Sequence, residues 1–530
     1  MKQYRYLWPL LIAGVFAIGL YLGTMFLPKS ALVANNSNQT ETKLSAILEL
    51  VDYKYVDSVD YNFLLESSIE GMIKKLDPHS LYIPPKDLAN VNEQLDGQFG
   101  GIGIRFLIHE DTLVVTHVLD RSPSEFAGLL PGDRILQVDD SLLIDMKLDN
   151  NKVMDLLKGV PNTKVNLTVL RQGEKRPIMI NRGVISVNSI NANIMLNRSV
   201  GFIKLNSFTK NCAAEFIEAA TELKSKGLEK LIFDLRNNGG GFLDEAKVIV
   251  DQFLGANKLI VYTEGRRTGR FDYKSTSSGI LKDVEVIVLI NSMSASASEI
   301  VAGAIQDNDR GYILGRRSFG KGLVQDQQEF SDGSALRLTI SRYYTPTGRS
   351  IQKPYGEGVD YDNDYYARFE SGELFEEDSL KINDSLKYTT PKGRTVYGGG
   401  GIYPDVFVPN DTMGASYYLT SLYYGSAFNQ YVFGYLDGKR SYWSTFDMFN
   451  RNFKVTEPMF EDFVVYAQDE LDIPRRENDI LRSKQIIKNR IKAEMARHLF
   501  KENGYYQIYL KDDLDVKEAL GTFSKPLANL

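Results

Sequence analysis

The 530-residue chain has a single cysteine, Cys212, so it cannot form an intramolecular disulfide. This leaves the compartment open, since disulfides are permitted outside the cell but not required there. Histidine is scarce, and His79, His109, His117 and His498 are scattered. That spacing excludes local ligand motifs such as HExxH, and no metal or other cofactor is expected. There is no basic excess either. With 62 lysines and arginines against 68 acids and a formal charge of −6, the composition argues against a nucleic-acid partner. Internal repeats are absent. What is present is ordinary globular composition, 43% hydrophobic and 25% charged, which rules out collagen-like structure and wholesale disorder. At ~150 residues per domain, the length suggests three or four domains.

There is one long apolar run. Leu7 to Leu27 carries no charge and at ~1.5 Å per residue covers ~30 Å, one hydrocarbon core. Lys2 and Arg5 precede it, so the N-terminus is expected to stay cytoplasmic and the rest to lie on the extracytoplasmic, periplasmic side. The bulky Thr24-Met25-Phe26-Leu27-Pro28 lacks the small residues of a signal-peptidase site, which favours an uncleaved transmembrane anchor over residues 1–28. Residues 29–43 read as a polar tether.

Residues 44–96 begin with apolar positions at helical spacing: Leu44, Ile47, Leu48 and Val51, then Leu64, Leu65, Ile69, Met72 and Ile73. Two helices are expected, ending near Lys75. Residues 97–183 read as a small β-rich module, with strands at Leu113-Val115 and Val165-Leu170 and a short helix at Val153-Leu157. Gly101-Ile102-Gly103-Ile104 precedes its first strand. Such glycines let backbone N–H groups converge on an anion, for instance a peptide carboxylate, but a plain glycine-rich turn has the same composition. A strand edge beside the loop would take an extended peptide.

Residues 184–410 alternate strands and helices, as in an α/β core with its loops at strand ends. Val200-Leu205, Leu231-Leu235, Val284-Ile290, Tyr312-Leu314 and Leu336-Ile340 are expected strands. Asp360-Tyr361-Asp362-Asn363-Asp364 starts like a calcium loop and then fails, with Tyr365 where glycine is needed and Ser371 where the glutamate belongs. Residues 411–530 are tyrosine-rich and mostly helical. Their stripe Ile480, Ile486, Ile487, Ile491, Met495 and Leu499 reads as a packing face, and the segment shows no chemistry.

The sharpest chemical signal lies between Asn291 and Gln325. Ser292, Ser294, Ser296 and Ser298 follow a buried-type strand at every second position, and Glu299 opens an apolar-faced helix. A serine at this turn sits near unpaired N–H groups and the positive end of the helix dipole. The Ala297 N–H can donate to the oxyanion formed when the serine attacks a carbonyl. A plain N-cap serine would look similar. No histidine is close in sequence to act as base, and a histidine triad keeps only the chance of assembly in space. A lysine deprotonated by burial is the alternative, and Lys321 in Phe319-Gly320-Lys321-Gly322 is the candidate. Gln325 would share its face in an extended segment and hold the amine. Gly315 to Lys321 also approaches a phosphate-binding GxxxxGK[ST] loop, but Gly322 replaces the hydroxyl residue and no helix pattern follows.

Three motifs together carry a family resemblance. Asp234-Leu235-Arg236-Asn237-Asn238-Gly239-Gly240-Gly241, Ser294 to Ala304, and Phe319-Gly320-Lys321-Gly322 resemble, in order and spacing, the carboxyl-terminal processing (tail-specific) serine peptidases. Gly101 to Ile104 with Ala127 to Ile135 resembles a PDZ domain, and Leu76-Asp77-Pro78-His79-Ser80 also fits. The resemblance implies an α/β peptidase core with an inserted PDZ-like domain and helical flanks. It implies a serine endopeptidase that cuts protein substrates near free C-termini captured by the PDZ groove at Gly101, Ile102, Gly103 and Ile104. By motif, Ser296 is the nucleophile, Lys321 the general base and Gln325 its orienting partner, with Ala297, Gly240 and Gly241 at the oxyanion hole. Ser294 and Ser298 are fallback nucleophiles. Gly239 departs from the family's usual proline. A homodimer through the helical arms is also implied. The alternative is a catalytically inactive PDZ scaffold that tethers partners at the membrane.

Overall fold

The computed structural model describes residues 38–524 apart from 110–111, 144–147, 381 and 438. The apolar run 7–27 lies outside the described residues. Among these, no helix is long and apolar enough to cross a membrane.

The chain divides into two compact units at residues 76/77. The first contains helix α1 (Asn38–Lys54) and helix α2 (Tyr61–Ile73), the latter capped by Asp60, whose carboxylate accepts the Phe63 N–H at 3.1 Å. The expected helical region 44–96 is thus cut short. Residues 77–96 belong to the second unit, because strand β1 (Leu81–Ile83) pairs antiparallel with a later strand of the core.

Helix α3 (Pro85–Asp96) leads into strand β2 (Gln98–Gly101) and the β-rich module. Its strands are β3 (Ile104–His109), β4 (Thr112–Val118), β5 (Arg134–Val138), β6 (Ser141–Leu142), β7 (Lys164–Arg171) and β8 (Glu174–Asn181). A helical turn α4 (Pro123–Phe126) and helix α5 (Asn150–Leu157) close it. The sheet runs β3-β4-β5-β7-β8, so β3 is an edge strand whose outer side pairs with no strand among the described residues. Alternate residues Leu113, Val115, Ile135, Val165, Leu167 and Val169 fill its core. Asp133 of the Pro131-Gly132-Asp133 turn is buried and bidentate to Arg171, at 2.7 and 2.6 Å. Strand β9 (Gly183–Ser186) pairs with β2 and closes the module at its root.

The core is a six-stranded sheet. Strands β10 (Ile190–Met195) and β11 (Val200–Leu205) pair antiparallel. Helix α6 (Cys212–Ser225), strand β12 (Lys230–Asp234) and helix α7 (Leu243–Asp251) follow. Strands β13 (Leu259–Gly265) and β14 (Gly269–Lys274) leave for a second sheet, and β15 (Glu285–Ile290) returns. Helix α8 (Ala297–Asp307) and strand β16 (Tyr312–Gly315) complete the alternation. Strands β11, β12, β15 and β16 run parallel side by side. The second sheet gathers β17 (Leu323–Glu329) and β18 (Ala335–Tyr344), with β18 also pairing β1 and β13. Helix α9 (Asp364–Glu370) opens at the end of the former calcium-loop look-alike, where Asp364 is ion-paired to Lys353 and Arg368 at 3.2 and 2.8 Å. Strands β19 (Lys387–Thr389) and β20 (Thr395–Tyr397) form a hairpin, and β21 (Val406–Phe407) ends the main sheet beside β16.

The tyrosine-rich segment folds as α10 (Tyr417–Tyr424), α11 (Ala427–Tyr435), α12 (Phe446–Asn452), α13 (Glu457–Asp469), the kinked α14 (Glu477–Tyr509) and α15 (Leu514–Thr522). Ile480, Ile487, Ile491 and Met495 of the α14 stripe are buried in this bundle's own core. The segment also does something its pattern did not announce. One face of the main sheet (Leu231, Phe233, Val286, Val288) packs under α6, α7 and α8. The other face (Phe202, Ile232, Ile287, Leu289) packs against Leu510, Val516 and Ala519. Side chains of a strand alternate between faces, so a buried parallel sheet needs cover on both, and the end of the chain supplies the second layer. The bundle also reaches the β-rich module, where Glu502 pairs with Arg105 of β3 at 2.7 Å.

Candidate active site

Three loops leave the C-terminal ends of β12, β15 and β16, neighbours in the parallel sheet. Open α/β sheets place their sites at such ends. The sequence motifs fall on these three loops.

The middle loop carries the serines. Ser294 is fully buried and donates its hydroxyl to the Leu235 carbonyl at 2.8 Å. Ser298 is fully buried too, and donates to the Asn238 carbonyl at 2.8 Å. Both hydroxyls brace the loop, which leaves them poor nucleophiles. Ser296 differs: it is half-buried and stands at the N-cap of α8 with φ 55° and ψ −114°. A non-glycine residue held there typically costs ~1–3 kcal/mol, a strain seen at functional turns. The Ala297 N–H that follows has no partner among the described residues.

The first loop packs on this serine. A Cβ on Gly240, at φ 100°, would come within 2.7 Å of the Ser296 Cβ. The Gly240 N–H is taken by the Asn238 side chain at 2.9 Å, so it is not available as an oxyanion donor in this geometry. The Gly241 N–H has no partner among the described residues. Asn238 organises this arrangement: it is fully buried, its amide donates to Leu205 O at 2.9 Å, and its own carbonyl accepts Ala295 N–H at 3.0 Å. Sequence reasoning assigned it no role, although an asparagine opening a glycine run is a common turn signal.

The third loop brings Lys321. It runs from β16 straight into the strand β17, so no helix N-terminus exists there to hold a phosphate. Glu299 ties it to Ser296. This fully buried carboxylate accepts Ser296 N–H at 2.9 Å, Ser318 Oγ–H at 2.5 Å, Gly320 N–H at 2.7 Å and Lys321 N–H at 2.8 Å. Burial pushes its pKa up to about 7 against the pull of those donors. On the other side, the buried Tyr343 hydroxyl lies 2.6 Å from Lys321 O and 3.1 Å from Ser296 O. Burial depresses the Lys321 ammonium, with the Arg337 charge acting in the same direction and Glu299 and Asp77 opposing. His79 is also held down, to about 4, by burial and by the Lys321 charge, and its Nε2 meets Tyr361 Oη at 2.8 Å.

The Ser296 and Lys321 backbones therefore share one carboxylate oxygen, but no hydrogen bond joins Ser296 Oγ to Lys321 Nζ among the described residues. Apo sites often carry such loose contacts. No hydrogen bond joins Gln325 to Lys321 Nζ among the described residues. The Gln325 Nε2 donates to Thr339 Oγ1 at 3.2 Å, and Thr339 Oγ1 donates to Asp77 at 3.1 Å. Strand pairing places Gln325 opposite Thr339, and this cross-strand contact takes the amide.

The glycine loop of the β-rich module is separate from these groups. Gly103 has φ 80°, and a Cβ there would lie 2.4 Å from Ser122 Cβ, so only glycine fits. The loop delivers the chain directly to the open edge of β3, with Ile104, Phe106 and Ile108 half-buried along it.

Residues 199–365 match the profile of peptidase family S41, residues 100–181 that of a PDZ domain, and residues 17–86 that of the activating protease CtpB N-terminal domain. Residues 418–501 match a family of unknown function. A carboxy-terminal-processing protease of Bartonella bacilliformis is 36% identical over 351 residues, covering 64% of this chain and 79% of that one. A probable CtpA-like serine protease of Staphylococcus aureus is 33% identical over 352 residues, 66% and 69% of the two chains. The solved photosystem II D1 C-terminal processing protease shares 25% identity over 70% of this chain and 93% of its own, at a TM-score of 0.35. With its strand-end serine loop and PDZ module, the chain belongs to the carboxy-terminal-processing serine proteases of peptidase family S41.

Proposed function

We propose that this peptidase cuts protein substrates near free C-termini with a Ser296–Lys321 dyad. Neutral Lys321 takes the Ser296 hydroxyl proton as Oγ attacks the scissile carbonyl. The oxyanion meets the N–H groups of Ala297 and Gly241, the C-terminal fragment leaves with the proton from Lys321, and water then releases the acyl-enzyme. The observation that carries this reading is the Glu299 carboxylate, which holds both Ser296 N–H and Lys321 N–H, so that the half-buried serine at positive φ and the lysine of the facing loop are tied to one group. The tail enters by adding to the open edge of β3 with its carboxylate on Gly101 to Gly103.

Cleavage of a tailed substrate by Ser296→Ala and by Lys321→Ala tests the dyad. Each is expected to lose several powers of ten in rate, as nucleophile and base removals do. Near-normal activity in either refutes it. The uncharged run 7–27, preceded by Lys2 and Arg5, supports a membrane anchor with the enzyme on the extracytoplasmic side. Fractionation of the full chain against a form lacking residues 1–28 tests this. A homodimer through the helical arms is part of the same proposal, and sedimentation of the full chain decides it.

A further inference from the structure

The last described helix, α15, lies beyond every matched profile, yet it touches two catalytic loops at their roots. Its Asp515 is 4% exposed. Oδ1 accepts Arg316 Nη1 at 2.7 Å, and Oδ2 accepts both Arg316 Nη2 at 3.0 Å and Arg236 Nη1 at 2.6 Å. Arg236 is the second residue after β12 and opens the loop that ends in Gly240-Gly241. Arg316 is the first residue after β16 and opens the loop that ends in Lys321. The serine strand β15 lies between those two strands. Both guanidiniums are largely buried, and Arg236 is held further by Asp234 at 2.7 Å and Asp513 at 3.0 Å.

We propose that Asp515 is a positioning residue of the peptidase site, a single carboxylate from the C-terminal helix that fixes the oxyanion loop and the lysine loop at one separation on either side of the nucleophile strand. This inference rests on the Ser296–Lys321 reading. Two buried guanidiniums at the ends of strands that flank β15 repel, and Asp515 is the carboxylate they share. Removing it takes from both loop roots the one contact they share, and misplacing an oxyanion donor or a base by about an ångström costs roughly a hundredfold in rate. The arrangement also gives the C-terminal segment a function in the reaction.

Steady-state cleavage of a tailed substrate by the full chain tests it, comparing Asp515→Asn with Val516→Ala. Val516 sits next in the helix, is buried in the sheet cover and touches neither loop charge. Asp515→Asn is expected to lower kcat about 10- to 100-fold while KM and the affinity for a C-terminal peptide stay unchanged. Val516→Ala is expected to lower the melting temperature with kcat within about twofold of the parent. Parental kcat in Asp515→Asn, or an equal kcat loss in Val516→Ala, overturns the proposal. If Asp515→Asn does not accumulate, the double variant D515N/R316Q, which removes the stranded guanidinium, is read against the same two outcomes. Ser296→Ala separates the failures: full activity there sinks the nucleophile assignment, whereas an inactive Ser296→Ala beside a fully active Asp515→Asn sinks only the clamp.

Discussion

Ser296 and Glu299 meet across the first turn of α8, the serine N–H donating to Glu299 Oε2 at 2.9 Å. That same oxygen takes the Lys321 N–H at 2.8 Å, so one buried acid holds both members of the proposed dyad. A glutamine has a single acceptor oxygen and cannot serve four donors. Glu299→Gln is therefore expected to lower kcat about 10- to 100-fold with little change in peptide affinity, measured by steady-state kinetics and a binding titration.

Glu299 also leaves a mark on stability. Its carboxyl is raised to about 7 in the folded chain from 4.5. Between those values the folded protein holds a proton that the unfolded chain has released. The contribution of Glu299 is thus most favourable below the unfolded value and is lost as pH rises through about 7. Denaturant unfolding of parent and Glu299→Gln across this window should show the parent's stability falling relative to the variant as pH rises. A pH-independent difference would mean that the carboxyl does not titrate there.

The Lys321 base should announce itself in the pH–rate profile. Its ammonium is disfavoured by burial and by Arg337, so activity should rise with pH as the amine is freed. Arg337→Gln removes the positive neighbour and should move the ascending limb of kcat/KM to higher pH. A limb that stays in place would assign the rise to another group.

Two adjacent glycines should respond in opposite ways to alanine. Nothing lies within 4 Å of a Cβ on Gly239, and its φ is not in the left-handed region. Gly239→Ala should keep activity and gain ~0.4–1 kcal/mol by restricting the unfolded chain. Gly240→Ala puts a Cβ 2.7 Å from that of Ser296 at φ 100° and should cost about a hundredfold in kcat. Melting curves and kinetics on the two variants check both.

For the PDZ groove, an amidated tail is expected to bind Ser296→Ala protein at least about tenfold more weakly than the free acid, because charge-assisted bonds to the loop N–H groups are lost. Equal affinities would dismiss the carboxylate-loop assignment. Substituting Gly103 by aspartate would not be a clean charge test. Any Cβ at Gly103 meets Ser122 at 2.4 Å, so steric damage would be mistaken for repulsion.

Much of the site was legible in the chain because it is local. The alternating serines, the Phe319-Gly320-Lys321-Gly322 turn and the glycine run each lie at a strand end, and strand ends follow from apolar periodicity. Which serine reacts was left to motif matching. The structure separates them physically, since Ser294 and Ser298 are buried with their hydroxyls on loop carbonyls. Face-sharing along an extended segment says nothing about the strand across from it, where Thr339 takes the Gln325 amide N–H.

The sequence by itself determined the order of domains, the strand-end placement of Ser296, Lys321 and Gly241, and the scarcity of histidine that turns attention to a lysine base, because all of these follow from composition and short-range pattern. Only the tertiary structure decided that Gly240 spends its N–H on Asn238, that Tyr343 spans the carbonyls of Ser296 and Lys321, and that Asp515 joins Arg236 to Arg316. All but the first of these contacts link residues far apart in the chain, those of Asp515 by 199 and 279 positions. Sequence periodicity carries no information about which distant side chain will arrive at a given strand end, and only the packing of the C-terminal helix against the second face of the sheet brings that carboxylate between the two arginines.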